Sequence, residues 1–184
     1  MSPRTFLIGA ALLAALPPAA SPATPGQPTA AVPVAARWEK HELQFTYHGF
    51  TSYYTCDGLE NKVRLILVHF GARKDARVQA TGCPYGPDAP SPSAWVTVAF
   101  ESLAEAGDSV GDAVAASWQT VELGPRRPYF MGDGECELIE QLKPLLSAGF
   151  ALQGVEYRTR CVPHQISFGD YSVRGKVLMP EPAR

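Results

Sequence analysis

Three groups of residues in this chain have types and spacings that can do chemistry. Gly107-Asp108-Ser109-Val110-Gly111 spells G-x-S-x-G, the pattern in which a sharp strand-to-helix turn lifts a serine hydroxyl towards a base. His164 lies downstream as that base, with Asp133 or Asp170 to orient it. Cys161-Val162-Pro163-His164 sets a sulfur and an imidazole at usable metal-ligand spacing. Arg158 and Arg160 on one strand-like stretch, and Arg174 and Lys176 on the next, form a basic set that suits a carboxylate, a phosphate or an acidic protein surface.

Each group also has a plainer reading. Ser109 sits in a small, acidic, Ala-rich stretch, and the chain lacks the long βα succession of an α/β hydrolase, so a surface loop accounts for it. No Cys-x-x-Cys pair marks a zinc ribbon or a thioredoxin-like site, and in an exported chain structural disulfides account for Cys56, Cys83, Cys136 and Cys161. His41, His48 and His69 read as solvated or hydrogen-bonded residues. No catalytic residue, metal or cofactor is assigned. The balance is against an enzyme, with a serine hydrolase using Ser109 and a metal-binding protein using His164 as the alternatives.

The elements that must position these groups follow from periodicity. Leu43, Phe45 and Tyr47 alternate with polar neighbours and predict a strand. Asp57 with Glu60 three residues on resembles a capping box, and Leu59, Val63, Ile66, Leu67 and Phe70 share one face of the helix that follows. Val78–Cys83 and Trp95–Leu103 read as strands. The order then repeats: a strand at Trp118–Leu123, and a helix at about Glu135–Ser147 with Leu138, Ile139, Leu142, Leu145 and Leu146 on its apolar face. Two alternating stretches follow, through Val155-Tyr157-Thr159 and Tyr171-Val173-Val177-Met179.

The sum is two βαββ units, about 41–103 and 117–179, read as an internal duplication. The fold class is α+β, with both helices on one face of a mostly antiparallel sheet. A hairpin centred near Ile166 sets Arg158 opposite Arg174 and Glu156 opposite Lys176, and opposed like charges favour an anionic guest between them.

The same geometry proposes the disulfides. A helix from Cys56 to Phe70 rises about 21 Å, and a strand from Arg77 to Cys83 returns about 20 Å. The second unit gives about 18 Å against about 20 Å. Of the three connectivities open to four cysteines, Cys56–Cys83 with Cys136–Cys161 follows from this return path. One detail disagrees: Cys83 shares strand parity with polar Arg77 and Gln79, so the pairing requires a bulge at Gly82.

The first residues carry Arg4, an apolar run from Phe6 to Leu16 and a small-x-small site at Ser21-Pro22-Ala23, the pattern of a cleaved export signal over 1–23. The run is shorter than the ~20 residues that span a bilayer, and no later stretch is long enough. An Ala/Pro-rich linker covers 24–36, and a single domain covers 37–184. Of the 16 Lys+Arg and 18 Asp+Glu, cleavage removes Arg4 alone, so 15 minus 18 leaves −3. That near-balance argues against a nucleic-acid binder.

The stretches Tyr54-Thr55-Cys56-Asp57-Gly58-Leu59, Gly71-Ala72-Arg73 and Cys161-Val162-Pro163-His164-Gln165 resemble a family of uncharacterised exported proteins of Gram-negative bacteria, over about Leu43 to Gln165. The resemblance implies a periplasmic or secreted protein and supplies no activity. The expectation is an exported module that binds an envelope protein or an anionic ligand.

Overall fold

Both helices bury the faces that their periodicity predicts. The computed structural model describes residues 33–83, 85, 88–107, 113–166 and 171–181. Helix α1 (Cys56–His69) buries Leu59, Val63, Ile66 and Leu67, with Phe70 just beyond its end. Helix α2 (Cys136–Gly149) buries Leu138, Ile139, Leu142, Leu145 and Leu146, and continues through Pro144. Phe70, Phe150 and Phe100 form the aromatic centre, with Phe70–Phe150 and Phe150–Phe100 ring centroids 5.7 and 5.1 Å apart. Fully burying one such ring stabilises by roughly 1.5–3 kcal/mol.

The cap of α1 differs from the expectation. Thr55, not Asp57, is the N-cap, and its hydroxyl accepts from Gly58 N at 2.9 Å. Glu60 instead reaches across and accepts from Ala80 N at 2.8 Å. The helix starts two residues earlier, and Cys56, tied to Cys83, already lies in its first turn.

Six strands form one antiparallel sheet in the order β2-β3-β1-β4-β6-β5: β1 (Val34–His48), β2 (Arg77–Thr81), β3 (Ser93–Glu105), β4 (Val114–Leu123), β5 (Leu152–Thr159) and β6 (Tyr171–Pro180). The fold is α+β, and both helices contribute to one core against one face of this sheet. The halves interlock, since α2 lies over β1 as well as β5.

Two three-stranded halves of the sheet meet at a narrow seam, where Val34, Ala35 and Ala36 pair with Ala116, Ala115 and Val114. The ladder is symmetric about the Ala35–Ala115 pair. On either side, Trp38 stands opposite Leu103 and Trp118 opposite Leu178, forming a small apolar cluster on the face away from the helices. The ordered strand therefore starts three residues before the expected domain boundary at 37. Ala36 is fully buried at the seam, where small side chains let the two sheets join.

Cys56–Cys83 and Cys136–Cys161 are the disulfides, as the return path requires. β2 ends at Thr81, and Gly82 at φ 73° turns Cys83 back towards the helix, a conformation that costs glycine little. This resolves the parity conflict. No described helix is long and apolar enough to cross a membrane.

At the end of α1, His69 Nε2 lies 3.1 Å from the Glu122 carbonyl and donates to it as a neutral ring. Burial lowers its pKa, outweighing the hydrogen bond that raises it. The unfolded chain takes up this proton near pH ~6.5 while the folded ring resists it. The resulting stability is whole above about pH 6.5 and falls as pH drops through the folded value. Replacing His69 with Gln should flatten that part of the acid limb in denaturation midpoints measured between pH 7 and 5. An unchanged slope would place the ring in solvent.

Candidate functional site: the open face of the sheet

The sequence assigns polar side chains to one face of the sheet, and the structure leaves that face uncovered by the helices. Its organisation differs between the halves.

In the second half the basic residues are spread and partly neutralised. β5 and β6 pair as Glu156↔Arg174 and Arg158↔Ser172, while Lys176 faces Gln153 on one side and Thr120 on the other. The expected opposition of Arg158 with Arg174 and of Glu156 with Lys176 does not occur. After β5, Val162 and Gln165 close a turn of their own, which displaces the reversal from the expected centre at Ile166. The strands therefore sit two residues from the expected register, which preserves every face and changes every neighbour. A bulge between Gln153 and Glu156 shifts the ladder again; Gly154 takes φ 56° there, and Val155 packs against Gly175, where a Cβ would lie 2.5 Å from Val155 Cγ2.

Arg174 donates to Glu122 at 3.1 Å and has Glu156 opposite it, and Arg127 also reaches Glu122 at 3.4 Å. Arg158 and Arg160 are exposed. Since Arg174 has carboxylates on both sides, Arg174→Gln should be neutral or slightly destabilising, within about 1 kcal/mol in thermal melts. A clear gain in stability would instead reveal like-charge crowding.

The first half is built differently. Three rows run across β1, β3 and β2: Thr46–Trp95–Thr81, Gln44–Thr97–Gln79 and Glu42–Ala99–Arg77. Long polar side chains flank small ones in two of these rows. The result is a trough of about 760 Å³ whose floor is Thr97 and Ala99 and whose walls are Glu42 and Gln44 from β1 and Arg77 and Gln79 from β2. Trp95 stands at one end, 47 % exposed although it is a large aromatic. At the other end Arg73 donates to Glu101 at 2.9 Å and lies over Trp38 at 5.4 Å, and Lys40 is 4.0 Å from Glu101. Among the described residues, Glu42, Gln44, Arg77, Gln79 and Thr97 have no side-chain hydrogen bond or ion pair.

Compared with family models, curated proteins and solved structures, the chain shows no match. Its site is therefore read from geometry alone.

Ser109 and Asp170 lie outside the described residues. Asp133 pairs with Arg126 at 2.7 Å, and His164 packs its ring edge-on to Phe50 with centroids 6.3 Å apart. Cys161 is spent in its disulfide and is not a thiolate ligand. The fold also makes a serine–histidine contact that sequence reading missed: His41 Nε2 lies 3.0 Å from Ser102 Oγ. Ser102 is buried and donates its proton to the Gly149 carbonyl at 2.6 Å, so the imidazole donates to the serine and activates nothing.

A polar knot centred on the buried Glu135 and Glu137 lies where the helices begin. Glu137 accepts from Phe50 N at 2.8 Å and from Thr51 N and Thr51 Oγ1 at 3.0 Å, and Gln141 brackets His48 through its backbone N–H and carbonyl, each at 2.7 Å. Lys62 binds Glu135 and the Phe130 carbonyl, and Tyr171 donates to the Gly132 carbonyl at 2.6 Å. Burial, then the Glu135 and Glu137 carboxylates, hold the Tyr47 phenol far above its ordinary range; burial and Glu135 do the same for Tyr54. The knot has acid–base residue types, but its groups bind one another and fix the β1–α1 connection. It is structural.

Proposed function

We propose that this protein is an exported, disulfide-stapled module that binds a partner on the open face of its sheet and does no chemistry on it. The trough carries the reading: paired walls of hydrogen-bonding side chains with no partners of their own face a hollow with an exposed tryptophan at its end. Surface polar groups normally serve solvent, but a concave site with a few convergent polar groups beside an aromatic is the usual form of a binding site. Export is supported by the cleavable-signal pattern over 1–23 and by two disulfides, which persist in oxidising compartments. We also infer that the halves descend from one βαββ unit. Trp38 and Trp118 occupy matching places on either side of the seam, and Cys56 and Cys136 open matching helices.

A second reading keeps an anionic ligand on Arg158, Arg160 and Lys176, supported by the smaller hollow of about 440 Å³ that Lys176 lines with Thr120 and Gln153. A photoreactive benzoylphenylalanine introduced at Gln44 or at Arg158 distinguishes the two in cells. Crosslinks from position 44 alone support the trough, and crosslinks from 158 alone support the basic face. Mass spectrometry of the mature N-terminus checks cleavage after Ala23.

A further inference from the structure

Resting on the trough reading, we infer that its ligand is an uncharged oligosaccharide. The shape is a channel rather than a pit. Its walls stand on strands two ladder spacings apart, about 9.6 Å between backbones, and the line of β3 from Ala99 over the Thr97 floor to Trp95 beyond it covers about 13–14 Å. Such a channel takes an extended chain lying along β3.

The walls specify hydroxyl groups. Each glutamine offers a carbonyl acceptor and an amide donor, Arg77 offers donors only, Glu42 acceptors only, and Thr97 on the floor does both. Donors and acceptors therefore alternate across both walls, as a ring of hydroxyls that both donate and accept requires. Trp95, 47 % exposed and in one row with Thr46 and Thr81, supplies the aromatic surface against which the C–H side of a pyranose ring would stack.

Charge selects against the other polymers. Glu42 faces Arg77 across the channel, and further along the face Lys40 and Arg73 meet Glu101 and Asp75, so no excess of one sign greets a polyanion. A peptide adding as a strand would pair along the outer edge of β2 rather than lie in the trough, whose floor strand β3 is paired on both sides by β1 and β2. Glycoside hydrolysis uses two carboxylates flanking the scissile bond. Among the described residues, Glu42 is the one carboxylate lining the trough, and the two beyond it, Glu101 and Asp75, both pair with Arg73, so no unpaired second carboxylate accompanies it and the site is a binder.

The test is titration of the intact, oxidised protein with cellopentaose and with N-acetylchitopentaose at up to about 10 mM, read by amide chemical shifts and tryptophan fluorescence. Saturable shifts confined to β1, β2 and β3 with at least one of these probes are expected. Trp95→Ala, and separately Gln44→Ala with Gln79→Ala, should each weaken binding roughly tenfold or more, while Arg158→Gln with Lys176→Gln leaves it within about twofold. All of these positions are exposed, and amide spectra confirm that each variant is folded. Absence of shifts with both probes overturns the inference, as does equal binding by the Trp95 variant. If the probes fail while the crosslinker at position 44 still captures a defined partner, the oligosaccharide falls and the trough stands. If both fail, the trough falls with it.

Discussion

Replacing Lys62 with methionine is expected to destabilise the protein by about 3–5 kcal/mol. Lys62 and Glu135 are mostly buried, with side chains 17 % and 7 % exposed, and the ammonium also serves the Phe130 carbonyl. Removing the cation leaves a carboxylate sealed without its counter-charge, and that uncompensated charge is the main cost. The pair itself contributes far less, because taking both ions out of water offsets most of their attraction. The double variant Lys62→Met with Glu135→Gln should therefore recover much of the loss. Urea denaturation of the two variants measures this directly. A single-variant cost below about 1 kcal/mol would show that water screens the pair.

Removing either disulfide is the second large effect. The bridged cysteines are 27 and 25 residues apart, and closing loops of that size stabilises by roughly 3–4 kcal/mol, mainly by restricting the unfolded chain. The consequences should differ by position. Cys56–Cys83 ties the first turn of α1 to the end of β2, the edge strand that carries Arg77 and Gln79. Cys56→Ser with Cys83→Ser should lower the denaturation midpoint and speed amide exchange in β2. Cys136→Ser with Cys161→Ser should loosen the end of β5 and spare the trough. Equal stability of either variant and the parent would contradict the assignment.

The helices and the disulfides were legible because their signals are local or nearly so. A stripe such as Leu59-Val63-Ile66-Phe70 needs no knowledge of its neighbours, and the rise of a helix against the return of a strand fixes where two cysteines meet. The face of each strand was legible for the same reason, through its period of two. Register was not. Sliding β5 past β6 by two residues preserves the alternation, so the pattern that predicted Arg158 on the open face said nothing about whether it met Arg174. The cap of α1 was misread because Asp57 and Glu60 matched a local motif while the Cys56 bridge, a longer-range constraint, drew Thr55 into the capping position.

The trough was hidden for a deeper reason. Gln44, Gln79 and Thr97 are unremarked polar residues on three strands, and only the order β2-β3-β1 sets them in one row. The sequence offered one usable signal, the aromatic Trp95 at a polar position between Ser93 and Thr97 in the alternation. The basic residues stood out as charges but are spread once folded, with Arg174 alone of the four in an ion pair among the described residues, whereas the uncharged amides converge.

The proposed function requires that this trough be occupied in the protein's own compartment. Hydroxyl-radical footprinting in intact expressing cells, compared with the purified protein, measures it with Tyr129, 90 % exposed and distant in sequence from the trough, as internal standard. A bound ligand should leave Trp95 markedly less oxidised relative to Tyr129 in cells than in the purified protein. The same Trp95-to-Tyr129 ratio in both would mean that nothing occupies the face on which the function has been placed.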